Sequence, residues 1–436
     1  MNPDHFKLVS ERWSKNPGKS TLSIFDFPPS YSVRFSEHGN KILQNLYINF
    51  KTNFGIDAFH RKTRMNFYSI DYYLRNESKS ISIKFLIKLK EILAEYLPDF
   101  DFTSIECEIR YVLNKRNCFA ASFPLNLETP FFAYVLGLSF DSGIQDYCFA
   151  NTNHELILKA KSMFEHFGFY SGSIKDRTGG QIVQVGKIGT KFLELAGFII
   201  NVQIKANNPL PEWAVYSNDL PFVKALISAI IDSEGNINNK SLRICQNTLH
   251  QNINFPHGYR DFPKQNVSST SFIYIVPPEQ KKEIFQEILN NPPLMLISLQ
   301  ILFARLGIHS SLAIVKIYVK RTGELCSAWH LQVFSKKNLE LVYELTKEHL
   351  IKKSSLEKTL KSYKRDYVSG PNKRVEDFIK LIKFSGKPVF TSRDLITLNV
   401  RKRKTIQNTI PYLQSKGVVK LVGFEGKLKK WELIAT

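Results

Sequence analysis

The apolar pattern along this chain changes character several times. Up to about Ser36 no period is sustained, and Pro and Gly punctuate the run, as in Asn16-Pro-Gly and Phe27-Pro-Pro, so a loosely structured lead-in over residues 1–40 is expected. From Ile42 the spacing turns helical: Ile83, Leu86, Ile87, Leu89 and Leu93 fall on one helix face, and Leu97-Pro98 closes that helix. Tyr68 to Arg75 predicts a shorter helix ahead of it, with polar Asn76 to Ser80 between. Two short helices joined in this way fit a helix-turn-helix within a helical domain at 41–122, or equally a plain helical hairpin.

From Phe123 to about Lys364, helix-like and strand-like runs alternate, and the series occurs twice. The first half, 123–215, predicts helices at Phe131 to Phe140, His154 to Phe167 and Lys191 to Leu195, with strands near Cys148 to Asn151, Gly172 to Ile174 and Gln181 to Val185. The second half, 216–365, predicts helices at Leu220 to Ile231, Leu294 to Leu306 and Leu339 to His349. Its strands are expected at Leu242 to Cys245, Phe272 to Val276, Ala313 to Val319 and Ala328 to Phe334. Phe164-Glu-His-Phe-Gly168 and Phe303-Ala-Arg-Leu-Gly307 end equivalent helices with glycine caps. A duplicated mixed unit is the simplest account. The second copy carries an extra piece, about Thr248 to Val267, that suggests no role. The last portion, 374–436, predicts three helices followed by a hairpin, Gly417 to Val422 and Leu428 to Ile434, which is the pattern of a winged helix; Thr391 suits the N-cap of its second helix.

The leading helix of each half ends in an acid and a glycine: Tyr134-Val-Leu-Gly-Leu-Ser-Phe-Asp-Ser-Gly143 and Ala225-Leu-Ile-Ser-Ala-Ile-Ile-Asp-Ser-Glu-Gly235. Gly137 matches Ala229 in place, and Ser139 and Ser228 add narrow neighbours, so these two helices are expected to pack closely side by side. Their acidic ends would then meet at one place, where carboxylates can hold Mg²⁺.

Charge adds a partner. The 60 Lys+Arg against 39 Asp+Glu leave a formal +21 over 436 residues, which points to a polyanion. Arg401-Lys-Arg-Lys404 opens the third helix of the last portion, a place where cations are unfavourable without an anion to meet them. The five cysteines never form a Cys-x-x-Cys pair, which argues against structural zinc and disulfides and fits a reducing, cytoplasmic, nucleoid-associated setting. No apolar run is long enough to cross a bilayer, so a soluble protein without a membrane partner is expected. The histidines show no His-x-x-x-His spacing and no phosphate-binding loop occurs.

The paired motif helices resemble those of single-chain LAGLIDADG homing endonucleases. Phe123-Pro-Leu-Asn-Leu, Pro209-Leu-Pro-Glu-Trp213 and Arg305-Leu-Gly-Ile-His309 are similar to flanking sequence of archaeal members, and Tyr68 to Leu93 is similar to helix-turn-helix segments that precede such domains. The resemblance covers roughly Phe123 to Lys364. It implies an α+β fold with two αββαββα half-domains related by a pseudo-two-fold axis, flanked by an N-terminal helix-turn-helix-like region and a C-terminal winged helix. It also implies a saddle of strands in the major groove of double-stranded DNA and a Mg²⁺ or Mn²⁺ site at the foot of the motif helices.

In that family an acid just before each closing glycine binds metal. Glu234 fills this place in the second motif, and Asp232 matches the motif's other Asp, which more often supports the helix end. The first motif has Ser142 there, with its acid one residue earlier at Asp141. One residue is about 100° around a helix and 1.5 Å along it, so Asp141 should point away from the place of its counterpart, and a serine hydroxyl substitutes poorly. Unwinding at Ser142, an inward swing of Asp141, or Asp146 reaching back would each restore a ligand. Lys187 and Lys336 are the candidates for a lysine near the metal, and Arg243, Gln246, Lys316 and Gln332 for reading base edges, with Arg401, Lys402, Arg403 and Lys404 on a duplex in the last portion. A site-specific endonuclease or nickase and a DNA-binding regulator or splicing helper that has lost cleavage are balanced at this point, and a structural RNA chaperone or intron-splicing maturase, with RNA as partner, is a third reading. A monomer suffices for the pseudo-symmetric platform.

Overall fold

The computed structural model describes residues 3–55, 57, 61, 80–114, 118–140, 144–145, 148–168, 172–177, 180–184, 186–198, 208–238, 240–250, 253, 258–267, 272–363, 378–380, 382–383, 387, 389–397, 403–415, 417–426 and 428–434. They form a mixed α+β protein whose chain falls into two compact units divided near residue 363.

The first surprise lies at the start. The expected lead-in is ordered: helix α1 (Pro3–Lys15) is followed by β1 (Thr21–Leu22) and β2 (Ser32–Phe35). Val9 and Trp13, four residues apart on α1, are buried, and the Trp13 indole donates to the Leu210 carbonyl at 2.8 Å. Asn16 and the Lys19 amide continue the fastening, onto the carbonyls of Gly197 and Leu195 at 3.1 and 3.0 Å. Gly18 sits in this contact with φ +68, and a Cβ there would meet the Ala196 carbonyl oxygen at 2.1 Å. The Pro and Gly residues that read as punctuation belong to a tightly fitted connection.

Next come α2 (Glu37–Phe54), β3 (Ile81–Ser82), α3 (Ile83–Tyr96), α4 (Thr103–Glu106), β4 (Ile109–Leu113), β5 (Cys118–Ala120) and β6 (Leu125–Asn126). Ser36 caps α2 by accepting from the Gly39 amide at 3.0 Å, and Gly55 at φ +76 ends it. The region is not purely helical, because β3-β2-β4-β5 form an antiparallel sheet and β1 pairs with β6. Of the expected helix-turn-helix, the second helix is α3; Tyr68 to Arg75 lies outside the described residues. One continuous apolar core runs from Val9 to Leu356, so residues 1–40 and 41–122 are parts of the larger unit and not separate domains.

The central region opens with α5 (Pro130–Leu138), capped by Thr129 with Pro130 in its first turn. Then follow β7 (Ile144–Gln145), β8 (Cys148–Asn151), α6 (His154–Phe167), β9 (Lys175–Arg177), β10 (Gly180–Gln184) and α7 (Gly186–Leu195), with sheet order β7-β8-β10-β9. After α8 (Glu212–Tyr216) comes α9 (Leu220–Glu234), capped by Asp219 on the Phe222 amide at 2.7 Å. The remainder is β11 (Gly235–Asn238), β12 (Ser241–Leu249), β13 (Lys264–Asn266), β14 (Phe272–Ile275), α10 (Pro278–Leu289), α11 (Leu294–Arg305), β15 (Ser310–Lys320), β16 (Leu325–Phe334), α12 (Lys336–Thr346) and α13 (Lys353–Ser362). Its sheet is ordered β11-β12-β16-β15-β14-β13 and is antiparallel throughout.

The second unit has its own core of Phe378, Ile382, Phe390, Leu395, Ile406, Ile410, Leu413 and Trp431. It contains β17 (Val389–Thr391), α14 (Ser392–Thr397), α15 (Arg403–Ser415), β18 (Val419–Glu425) and β19 (Leu428–Leu433), with sheet order β17-β19-β18. Thr391 caps α14 in a reciprocal box: Asp394 accepts from its amide and hydroxyl at 2.7 and 2.8 Å. Among the described residues no helix is long and apolar enough to cross a membrane.

Candidate functional site

Helices α5 and α9 meet face to face. A Cβ built on Gly137 would lie 2.6 Å from the Ala229 methyl and 2.9 Å from the Leu226 carbonyl oxygen, so the two backbones approach as only glycine allows. Neither helix is amphipathic in the usual sense. Every residue of α5 from Phe132 to Leu138 is buried, as is α9 from Ala225 to Asp232, because the two pack against each other while α5 also packs on α6 and α9 on β12.

At the foot of α9, Asp232 is buried and holds four donors. Its carboxylate accepts from the Tyr134 hydroxyl of α5 at 2.8 Å, the Ile351 amide at 3.0 Å and the Lys352 amide at 3.1 Å, and the Lys159 ammonium of α6 stands 3.7 Å away. Burial raises the Asp232 pKa against the lowering effect of these partners, and burial likewise pulls Lys159 down. Asp232 therefore ties the two motif helices and the entrance to α13 together, and its oxygens are committed to protein donors. Lys352 answers from the other side: its ammonium donates to the carbonyls of Ile231 and Gly235 at 3.1 and 2.6 Å, closing the helix end around Glu234.

Glu234 is the last residue of α9 and is half-buried. Its charge is felt by Cys245 on β12, whose thiol pKa is raised by burial first and by Glu234 second. Asp141, Ser142 and Asp146 lie outside the described residues, so the first motif's acid is not placed. Among the described residues no group of three His, Cys, Asp or Glu side chains is arranged to hold a metal. Lys187 and Lys336 occupy the first turns of α7 and α12, directly after β10 and β16, which are equivalent places in the two series. Gly235 faces Ile244, which faces Leu331, so β11 and β16 are two strand spacings apart, roughly 10 Å.

The second sheet has two distinct faces. Period-two alternation sends Leu242, Ile244, Gln246 and Thr248 of β12 into the core, and Arg243, Cys245 and Asn247 to the other side. On β16 Leu331 and Val333 are buried, whereas His330 and Gln332 face the open side. Register places Arg243 opposite Gln332, which is opposite Ser311, and Cys245 opposite His330. A bulge between Ile314 and Lys316 keeps Lys316 on the open side, opposite Ala328, with its pKa lowered by burial. Buried atoms without a protein hydrogen-bond partner include Arg243 Nε and His330 Nδ1. The His330 pKa is lowered by burial and then by the Arg243 charge. The six strands carry Arg243, Lys264, Lys316 and Lys320 and no Asp or Glu.

Gln246 is a correction. It is buried on the core face and donates to the Phe140 carbonyl at 3.1 Å, beyond the end of α5. Three positions separate it from Arg243, an odd number, so the two cannot share a strand face. Arg401 and Lys402 lie outside the described residues; Arg403 and Lys404 begin α15, and only their backbone is described. Sequence reasoning missed Lys352 and Tyr134, the first an unremarkable lysine after a helix, the second hidden in an apolar run.

No family profile matches the chain, and no curated protein does. Solved structures similar to it include two forms of one protein. The N-terminal LAGLIDADG domain of DUF199/WhiA shares 11% identity at a TM-score of 0.27, over 50% of this chain and 82% of that one. Full-length DUF199/WhiA from Thermatoga maritima shares 11% at a TM-score of 0.29, over 59% of this chain and 67% of that one. Likeness at this level assigns neither fold nor activity.

Proposed function

We propose that this chain binds double-stranded DNA through a LAGLIDADG-type saddle. The reading as two αββαββα half-domains is supported by strand order: β7-β8-β10-β9 in one half and β11-β12-β16-β15 in the other follow the same path, each after a motif helix. The observation that carries the function is the open face of the second sheet. It bears no carboxylate, and Arg243, unsatisfied at Nε, stands beside Gln332. Arginine and glutamine are side chains whose forks match guanine and adenine edges in the major groove. The second unit is read as a winged helix on the strength of β17-β19-β18 with α14 and α15 before the hairpin, and Arg401 to Lys404 would meet the duplex backbone. One copy of the chain completes the platform.

The test is fluorescence anisotropy of a labelled mixed-sequence duplex against added salt. Affinity should fall steeply, because lysines and arginines release condensed counterions, and Arg243→Ala should weaken binding. A flat salt response overturns the proposal.

A metal-dependent cleavage activity is the second reading, favoured by one observation: Glu234 ends α9 in a half-exposed position, directly before Gly235. Glu234, with Asp141 or Asp146, would hold Mg²⁺ or Mn²⁺, which when bound supplies a Lewis acid at the scissile phosphate. Supercoiled plasmid carrying candidate sites separates the readings. Nicked or linear product that disappears in Glu234→Gln supports cleavage; retardation of DNA without product supports a binding protein alone.

A further inference from the structure

The two sheets differ in one respect that the proposed function leaves unused. Among the described residues the first ends at β9, whereas the second continues past the corresponding β15 through β14 to β13. The extra strands include part of the insertion near residues 248–267. They lie one and two spacings beyond β15, roughly 10 Å in all.

All three residues of β13, Lys264, Gln265 and Asn266, are exposed. Lys264 stands 5.4 Å from the centroid of the Phe272 ring, and the Arg321 guanidinium, from the turn after β15, is 5.9 Å from that same ring. One aromatic side chain thus steadies two cations at the outermost edge of the sheet. Neither cation has an ion pair with a carboxylate among the contacts the structure describes, whereas the neighbouring Lys320 pairs with Glu324 at 3.3 Å. A steadied, unneutralised cation pair at the rim of a carboxylate-free sheet suits an anion outside the protein.

We infer that the β13–β14 extension is a clamp for the sugar-phosphate backbone of the same duplex, so that the second half grips more DNA than the first. This rests on the duplex-binding reading above. Ten ångströms correspond to about three base pairs at ~3.4 Å each, and the protected stretch is off-centre by that amount toward the second half. Lys264 and Arg321 each neutralise one phosphate.

The experiment compares the full chain with Lys264→Ala/Arg321→Ala on a labelled 40-base-pair mixed-sequence duplex, with affinity followed from low to high salt. The slope of log affinity against log salt should fall in magnitude by about 1.8, from ~0.9 per phosphate contact. Lys264→Arg/Arg321→Lys should keep the wild-type slope, and Lys161→Ala/Lys347→Ala, on α6 and in the turn after α12, should leave it unchanged. On a site recovered from a random library, trimming three base pairs from one end should abolish the difference between wild type and the alanine pair; trimming the other end should preserve it. If the wild type binds with a steep slope and the alanine pair matches it, the clamp is wrong while duplex binding stands. If Lys161→Ala/Lys347→Ala lowers the slope equally, the clamp is again wrong. If the wild type itself shows no salt-dependent binding, both fall.

Discussion

Replacing Gly137 by alanine tests the helix seam directly. The added methyl would begin 2.6 Å from the Ala229 Cβ, 2.9 Å from the Leu226 carbonyl oxygen and 3.4 Å from the Ile230 amide nitrogen. Carbon atoms prefer about 3.5–4.0 Å, so the helices must part by about 1 Å, and the carbonyl, being backbone, cannot swing aside. Overpacking of this kind costs about 1–3 kcal/mol, and a backbone contact argues for the upper end. Alanine returns about 1 kcal/mol through helix propensity. The net expectation is a loss of about 2 kcal/mol, a factor of roughly 30 in the folding equilibrium. Urea unfolding followed by tryptophan fluorescence suits the measurement, since Trp13, Trp213 and Trp329 all belong to the larger unit. Combining Gly137→Ala with Ala229→Gly removes the shortest contact but not the one to Leu226, so the pair should show a favourable coupling of about 1 kcal/mol in a double-mutant cycle. A Gly137→Ala protein as stable as wild type, with zero coupling to position 229, would refute the close seam.

Other expectations follow from the same geometry. Asp232→Asn leaves Lys159 without its charge partner and disturbs the amides of Ile351 and Lys352, so it should cost about 3–5 kcal/mol, with partial recovery on adding Lys159→Met; equal stability of single and double variants would contradict this. His250 is buried against the Ser327 hydroxyl at 2.7 Å, and burial pushes its pKa down to about 4. Its contribution is whole above the unfolded value of 6.5 and is lost as pH falls toward 4, by up to about 3 kcal/mol; His250→Gln should flatten the loss in denaturation curves taken across that window. Gln246→Ala should destabilise the fold by about 1–3 kcal/mol through the orphaned Phe140 carbonyl, whereas Arg243→Ala should leave unfolding almost unchanged and weaken duplex binding. The opposite assignment in paired stability and anisotropy measurements would exchange their roles.

Much of the seam was legible because small residues announce close backbones: Gly137 and Ala229 occupy matching places, and they do touch. Alternation was legible too, and applied strictly it would have separated Gln246 from Arg243 before any coordinates. The start was misread for a physical reason. Phe6, Val9 and Trp13 carry a helical period, but a 13-residue helix makes a faint signal beside the Pro and Gly that follow, and its stability comes from docking onto residues two hundred positions away. Asp232 and Lys352 could not be paired from sequence, since 120 residues separate them and only the folded sheet returns α13 to the foot of α9.

The lacing of the amino-terminal segment decides how this polypeptide can be cut. A fragment beginning at residue 123 would contain both motif helices, yet it would expose the apolar bed that Val9 and Trp13 cover and strand the carbonyls of Leu195, Gly197 and Leu210. Minimal versions for engineering should keep α1 attached, or supply it as a separate peptide that snaps into the vacated trough.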